Sequence, residues 1–209
     1  GLTKGQYSPT SERGKVTKST PMGSLDTPIN PIALALAAEC TFVARSLDID
    51  AKLLGQVMTR GAEHPGMSFI EVYQDCNIFN HQSWYYASQR DSRPQTTVLL
   101  EHGKPLIFGF DKEFGIRLER GAPEVVTIGE NGVTEDDLMV HDEHSLVQAF
   151  ALAQMFQPAF PEPLGVIYVN SDRQSYESAS HEQMRQAVES HPHPDLQELV
   201  KGRQTWTID

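Results

Sequence analysis

The chain has 209 residues, of which 39% are apolar and 22% charged, so it can form one globular domain with an appendage. Its formal net charge of −11 argues against a nucleic-acid partner, because neutralising phosphates requires clustered Lys and Arg. Its apolar runs are far shorter than the roughly 18 to 20 residues that span a bilayer, and two cysteines are too few for a secreted disulfide framework, so we expect a protein of the reducing cytoplasm with no membrane partner.

The first ten residues are the most informative part of the sequence. Residues 1–10 form a glycine-flanked polar loop with Thr, Lys and Gln, a composition typical of loops that meet an anion at the end of a buried strand. No strand precedes this loop, so we expect the chain to be the C-terminal part of a longer protein. Residues 1–20 also hold four Lys and Arg against one Glu, which suits an anionic small ligand, although merely solvated charges are an equal alternative.

The next segments alternate between helix and strand. The sequence predicts an apolar helix over 32–39 that begins at Asn30 and Pro31, a β-run over 41–45, a helix from Asp50 to about Glu63, and a strand over 68–73. Strand, helix and strand within about 35 residues are typical of a parallel unit with a right-handed crossover. Because ligands collect at the carboxyl ends of such strands, we expect residues 74–80 and the opening loop at the same functional edge.

Beyond residue 80 the pattern favours antiparallel hairpins followed by a helix and a strand. The predicted strands cover 98–100, 106–110, 115–119 and about 125–132, a turn begins at Thr134, and a helix over 144–155 precedes a strand over 164–169 and a polar tail with a helix over 180–189. The run from His141 to His144 does not match a zinc-binding helix, because its spacing does not place the ligands on one face. It indicates a loop with an N-cap.

Several blocks of the sequence, in this order and spacing, resemble one family. They are GLTKGQ and SPT at residues 1–10, TPMGSLDTPINP at 20–31, AECTFVAR at 38–45 and FIEVYQDCNIFN at 69–80, with looser matches at 141–143 and 160–166. Together they resemble the thiamine-diphosphate (beta) subunit of 2-oxoacid:ferredoxin oxidoreductases. The lysine of the opening loop is more similar to the 2-oxoglutarate branch of that family than to the pyruvate branch.

The resemblance implies a fold and an activity. The fold class would be α/β, with residues 1–90 forming the C-terminal part of a thiamine-diphosphate-binding domain, a parallel sheet with flanking helices. Residues 91–209 would form a mixed β-hairpin and helix extension with a tail. The activity would be oxidative decarboxylation of 2-oxoglutarate, or a related 2-oxoacid, to acyl-CoA and CO₂, with coenzyme A as co-substrate, ferredoxin as electron acceptor and an alpha subunit as partner.

The resemblance assigns roles to Leu2, Thr3, Lys4 and Cys76, and the amide of Gln6 adds a fifth candidate by its chemistry alone. Leu2 would lie beside the thiamine diphosphate, and Thr3 against its diphosphate. Gln6 would donate to the same diphosphate or would stabilise a turn. Lys4 would meet the distal carboxylate of the substrate, and Cys76 would be the fourth ligand of a [4Fe-4S] cluster.

Two departures from the family pattern leave alternatives open. The family's Gly-Asp-Gly and Asn ligands for Mg²⁺, and its three earlier cluster cysteines, would precede Gly1, so we expect the chain as given to bind neither cofactor normally. A non-catalytic remnant that packs against a partner subunit is one alternative. A thiamine-diphosphate decarboxylase without a cluster is another, and from composition alone Cys76 would be a small buried apolar residue.

Overall fold

The computed structural model describes residues 2–190, 195–202, 204, 206 and 208, so Gly1 of the opening motif lies outside the described residues. Two compact units make up the chain, Gly1–Arg173 and Gln174–Asp209. Among the described residues, the first unit contains both β-sheets and the second contains two helices. The predicted division at residue 90 stays a prediction.

The helix–strand pattern of the first third is confirmed. Helix α1 covers Pro31–Ala37, strand β1 covers Phe42–Leu47, helix α2 covers Ala51–Glu63 and strand β2 covers Ser68–Tyr73. The side chains of Asn30 and Asp50 accept backbone N–H groups of the first turns of α1 and α2, each at 3.0 Å, which fixes where these helices begin. Strands β1 and β2 are parallel, as the sequence predicts.

The main sheet is mixed rather than parallel throughout. Strand β7, Glu162–Val169, lies antiparallel to β1, and strand β3, Thr97–Leu99, lies parallel to β7, giving the order β2-β1-β7-β3. All eight residues of β7 are buried, as befits a central strand covered on both faces. The α/β fold class is confirmed, and the expectation of a parallel sheet holds only for the pairs β1–β2 and β3–β7.

The prediction of a hairpin at residues 98–100 is wrong, because β3 joins the main sheet. Val98 is buried beside β7, and the backbone N–H of Leu100 continues the pairing by donating to Leu164 at 2.8 Å. Burial against β7 therefore outweighs the turn signal at residues 102–105. The remaining strands β4 (Ile107–Phe108), β5 (Phe114–Glu119) and β6 (Ala122–Thr127) form the predicted antiparallel sheet.

Two apolar clusters cover the main sheet. One contains Ile32 and Leu36 of α1 with Ala149 and Leu152 of helix α5, Leu146–Ala153. The other contains apolar residues of α2 and Ala87 of the short helix α3, Tyr85–Ser88. A second short helix, α4, covers Arg93–Thr96 directly before β3.

The second unit contains helices α6, Tyr176–Ser190, and α7, Leu196–Lys201. Helix α6 includes the predicted helix over 180–189, and none of its residues is buried. Within the ranges that the structure describes, no helix combines the length and apolar character needed to cross a bilayer.

Candidate functional site

The opening loop folds into a tight turn that leaves its lysine free. Leu2 and Gln6 form a single antiparallel backbone bridge around a 3-10 turn at Thr3–Gly5, and the Gly5 N–H donates to the Leu2 carbonyl at 2.8 Å. The φ of Lys4 is 56°, so its backbone is in the left-handed rather than the right-handed helical region, and the residue is exposed. No acid among the described residues pairs with this ammonium, so it is free to meet an anion.

The segment that follows is an ordered loop built around Ser24. Ser24 is buried, and its hydroxyl donates to the Glu12 carbonyl at 3.0 Å while accepting the Lys15 N–H at 3.1 Å. Gly23 packs so closely on Gly14 that a Cβ on Gly23 would lie 2.8 Å from the Gly14 carbonyl oxygen. Ser24 could not be predicted as the centre of this loop, because its only signal in the sequence is a serine beside a glycine in a polar stretch.

A cavity of about 570 Å³ lies beside the opening loop, within the size range of small-molecule sites. Gln6 lines it together with hydroxyl-bearing residues and one acid, which are Tyr7, Ser8, Ser19, Asp26 and Thr27. Tyr7 donates its hydroxyl to Asp26 at 2.7 Å, and this hydrogen bond raises the pKa of Tyr7. The wall beside Gln6 is therefore rich in hydrogen-bonding groups.

Cys76 lies three residues beyond the end of β2, at the predicted functional edge. Its carbonyl accepts the Asn80 N–H at 3.0 Å, which closes the loop, and its side chain is half-buried. The backbone N–H groups of Phe79 and Ile78 lower the pKa of the Cys76 thiol. Such donors favour the thiolate, which is the form that binds metals.

Two contacts join the opening segment to the Cys76 loop. Gly5 lies so close to Phe79 that a Cβ on Gly5 would come within 2.9 Å of the ring. Lys15 donates to the Asn80 side chain at 2.6 Å and to Glu12 at 2.8 Å. The structure therefore brings the loop of Leu2, Thr3, Lys4 and Gln6 against the loop of Cys76, as the sequence predicts.

Aromatic residues support the ends of β1 and β2 beside this loop. The Trp84 ring stacks on Tyr73 with centroids 3.6 Å apart and an interplanar angle of 9°. The Asp75 carboxylate accepts from His81 and from the Gln82 N–H, each at 2.7 Å. These contacts surround a smaller cavity of about 330 Å³ at the ends of the two strands.

A buried ion cluster joins β1, β2 and β7 within the main sheet. Arg45 of β1 donates to Glu71 at 2.7 Å and to Glu162 at 3.1 Å, and Glu162 also accepts the hydroxyls of Tyr73 and Tyr86. Burial opposes ionisation and raises the pKa of Glu162. Burial also opposes the charge of Arg45, but Tyr73 and the neighbouring carboxylates outweigh it and hold the pKa of Arg45 above its usual value. Every charged group of the cluster has a partner, which is typical of scaffold rather than of a reacting site.

The sequence and the fold of this chain are similar to those of known proteins. No family model matches the chain. The chain is 41% identical over 213 aligned residues to the 2-oxoglutarate oxidoreductase subunit KorB of Mycobacterium tuberculosis, an alignment that covers all of this chain and 56% of that protein. It is 44% identical over 88 residues to the 2-oxoacid:ferredoxin oxidoreductase beta subunit of Saccharolobus solfataricus, covering 41% of this chain and 29% of that subunit.

The chain is a homologue of these beta subunits. It spans little more than half the length of the Mycobacterium tuberculosis relative. Among solved structures, it is similar to a 2-oxoglutarate:ferredoxin oxidoreductase from Magnetococcus marinus, determined with 2-oxoglutarate, coenzyme A and succinyl-CoA bound. The match has a TM-score of 0.63 at 22% identity and covers 98% of this chain and 54% of that one, so the two chains share a fold.

Proposed function

We propose that this chain belongs to the beta subunit of an oxidoreductase that decarboxylates 2-oxoglutarate oxidatively, forms an acyl-CoA and CO₂, and passes the electrons to ferredoxin. The observation that carries the proposal is the contact between the opening loop and the Cys76 loop, through Gly5 and Phe79. It places a free ammonium and a cysteine with a lowered pKa in neighbouring loops at one edge of the sheet. The names of the homologous subunits support the same assignment.

The residues around Cys76 fit an iron–sulfur ligand. Backbone N–H groups of Phe79 and Ile78 lower the pKa of the thiol, and the half-buried position of Cys76 leaves it accessible to a cluster held jointly with other cysteines. Cys76 would hold one iron of a [4Fe-4S] cluster, and the Phe79 and Ile78 N–H groups would tune its potential. Cys40 does not compete for this role, because it is buried and its thiol faces the Phe42 and Met67 carbonyls at 3.2 Å.

The opening loop fits an anionic cofactor and substrate. Thr3 and Gln6 present a hydroxyl and an amide from an exposed turn, where they would donate to the diphosphate of thiamine diphosphate, and exposed Leu2 would pack against the same cofactor. Lys4 would hold the distal carboxylate of 2-oxoglutarate as a point charge. Thiamine diphosphate, when bound with Mg²⁺, supplies the electron sink for decarboxylation. The Mg²⁺ ion itself has no ligand assigned in this chain.

An alpha subunit, ferredoxin and coenzyme A complete the proposed system. A partner subunit is implied by the beta subunits to which the chain is homologous. Coenzyme A is proposed because it is bound in the Magnetococcus marinus enzyme. A cytoplasmic location stays a prediction from the sequence.

The test of this function is Cys76→Ala in the complete oxidoreductase complex. We expect the electron paramagnetic resonance signal of the reduced cluster, and ferredoxin reduction with it, to be lost, because one iron no longer has its thiolate. Cys40→Ala is the matched control, since it removes the other cysteine and should keep the signal. A full signal in Cys76→Ala would contradict the assignment of the ligand. A wild-type complex with neither signal nor activity would favour the non-catalytic remnant.

A further inference from the structure

A second group of metal-binding side chains lies near the other end of β1. One ligand atom from each of His102, Glu143 and His144 lies within 4.8 Å of those of the other two. His144 contacts Val169, the last residue of β7, which is paired with Phe42 at the start of β1. Cys76, in contrast, follows the end of the neighbouring parallel strand, so the two groups belong to opposite edges of the sheet.

The hydrogen bonds of His144 leave one ring nitrogen ready to bind an ion. Its Nδ1 lies 3.0 Å from the Val169 carbonyl oxygen, which can only accept, so the proton of the neutral ring is on Nδ1. The lone pair of Nε2 is then free. Histidines that bind metals commonly donate their other ring N–H to a backbone carbonyl in this way.

Glu143 is held in place by contacts on both its backbone and its side chain. Its carbonyl accepts the Val169 N–H at 2.7 Å, and its N–H donates to His102 Nδ1 at 3.2 Å. Arg60 donates to the two carboxylate oxygens at 2.8 and 3.1 Å. Each oxygen has a second lone pair, so the ion pair with Arg60 orients the carboxylate and leaves it able to take a cation.

His102 completes the group from a separate loop. Its ring lies 5.3 Å from that of His144, centroid to centroid, at an angle of 67°. Its Nδ1 accepts the Glu143 N–H at 3.2 Å and lies 3.9 Å from a carboxylate oxygen of Asp142. His102 would therefore exchange this long hydrogen bond for the ion when it binds. Both side chains, of His102 and Asp142, are about half exposed. An ion can therefore reach the group from solvent, and Asp142 or water can fill a fourth position.

We propose that His102, Glu143 and His144 bind a divalent transition-metal ion, with zinc as the ion whose preferences best match two imidazoles and a carboxylate. The ion would join the turn that follows β3 to the loop before α5 and to the end of β7. The run from His141 to His144 does not predict this site, because the third ligand lies about forty residues earlier in the chain. Only the fold brings His102 to it.

The proposal is tested by calorimetric titration of zinc chloride into the complete protein, with its cluster intact and loosely bound metal removed by chelator. We expect one saturable zinc ion per chain and a melting temperature that rises with zinc concentration. His102→Ala and His144→Gln should each weaken zinc binding by at least about tenfold and abolish the rise. His181→Ala, which removes an exposed histidine of α6, should leave both results unchanged.

Two results would overturn the proposal. One is a wild-type protein that shows no saturable zinc binding at concentrations up to the order of 1 mM. The other is a double variant, His102→Ala with His144→Gln, that folds by circular dichroism and still binds one zinc ion with unchanged affinity. Because both substituted side chains are exposed, we expect the variants to fold without zinc.

Discussion

Two polar regions lie on β1 and β2 or beside their ends, and they differ in whether their charged groups are paired. In the buried ion cluster, Arg45 is 1% exposed and forms ion pairs with Glu71 and Glu162, so each charged group has a partner. In the loops at the carboxyl edge, Lys4 is exposed without an acidic partner among the described residues, and the Cys76 thiol has a lowered pKa. The closed cluster stabilises the sheet, whereas the open loops keep groups available for a ligand.

The comparison predicts the largest effect for the buried cluster. Arg45→Met should lower the free energy of unfolding by about 3 to 5 kcal/mol, because it leaves Glu162 buried without its countercharge. Urea unfolding of the complete protein measures this loss. Arg117→Met, which breaks the partly exposed pair with Glu124, should cost less than about 1 kcal/mol. Equal losses in the two variants would mean that the buried ion pairs of Arg45 stabilise the protein no more than the partly exposed pair does.

An intermediate effect is expected where the two loops touch. Gly5→Ala and Gly14→Ala both place an L-residue at a φ above 80°, which should cost each variant about 1 to 2 kcal/mol of stability. Only Gly5→Ala also drives a Cβ into Phe79, since a Cβ on Gly14 has no neighbour within 4 Å. We therefore expect kcat/KM for 2-oxoglutarate to fall about tenfold further in Gly5→Ala. Equal values of kcat/KM in the two variants would show that the Gly5–Phe79 contact does not affect catalysis.

The smallest effect is expected for Lys15. Lys15→Met removes the hydrogen bond to Asn80 and one positive charge beside the Cys76 loop. The midpoint potential of the cluster should fall by on the order of 10 mV, because reduction adds negative charge. Lys52→Met on α2 makes the same change in net charge and should leave the potential where it is. A potential that moves equally in both variants would reflect net charge rather than this contact.

Local signals predicted much of the fold. Strand β2 follows from a run of β-branched and aromatic residues, and the starts of α1 and α2 follow from the caps Asn30 and Asp50. Each of these signals acts over only a few residues. The direction of β7 did not follow, because a strand buried along its whole length carries no local sign of its partner. Arg45 and Glu162 are 117 residues apart, so their ion pair also depends on the sheet order.

The residues of the candidate site also divide into those that local motifs predict and those that depend on contacts between distant residues. Lys4 and Cys76 lie in motifs that resemble a known family, and the structure places their loops together. Ser24, Lys15 and, in the proposed zinc site, His102 could not be predicted, because each acts through a partner that only folding supplies. Local sequence motifs therefore identify the two loops of the candidate site, whereas the residues that hold these loops in place depend on tertiary contacts.

The central claim is that the opening loop binds the substrate of a 2-oxoglutarate oxidoreductase, and Lys4 tests it most directly. The measurement is the KM of the complete complex for 2-oxoglutarate and for pyruvate, in wild type and in Lys4→Ala. We predict that KM rises at least about tenfold for 2-oxoglutarate and changes little for pyruvate, because only the former has a distal carboxylate. Equal changes for both substrates would contradict the role of Lys4.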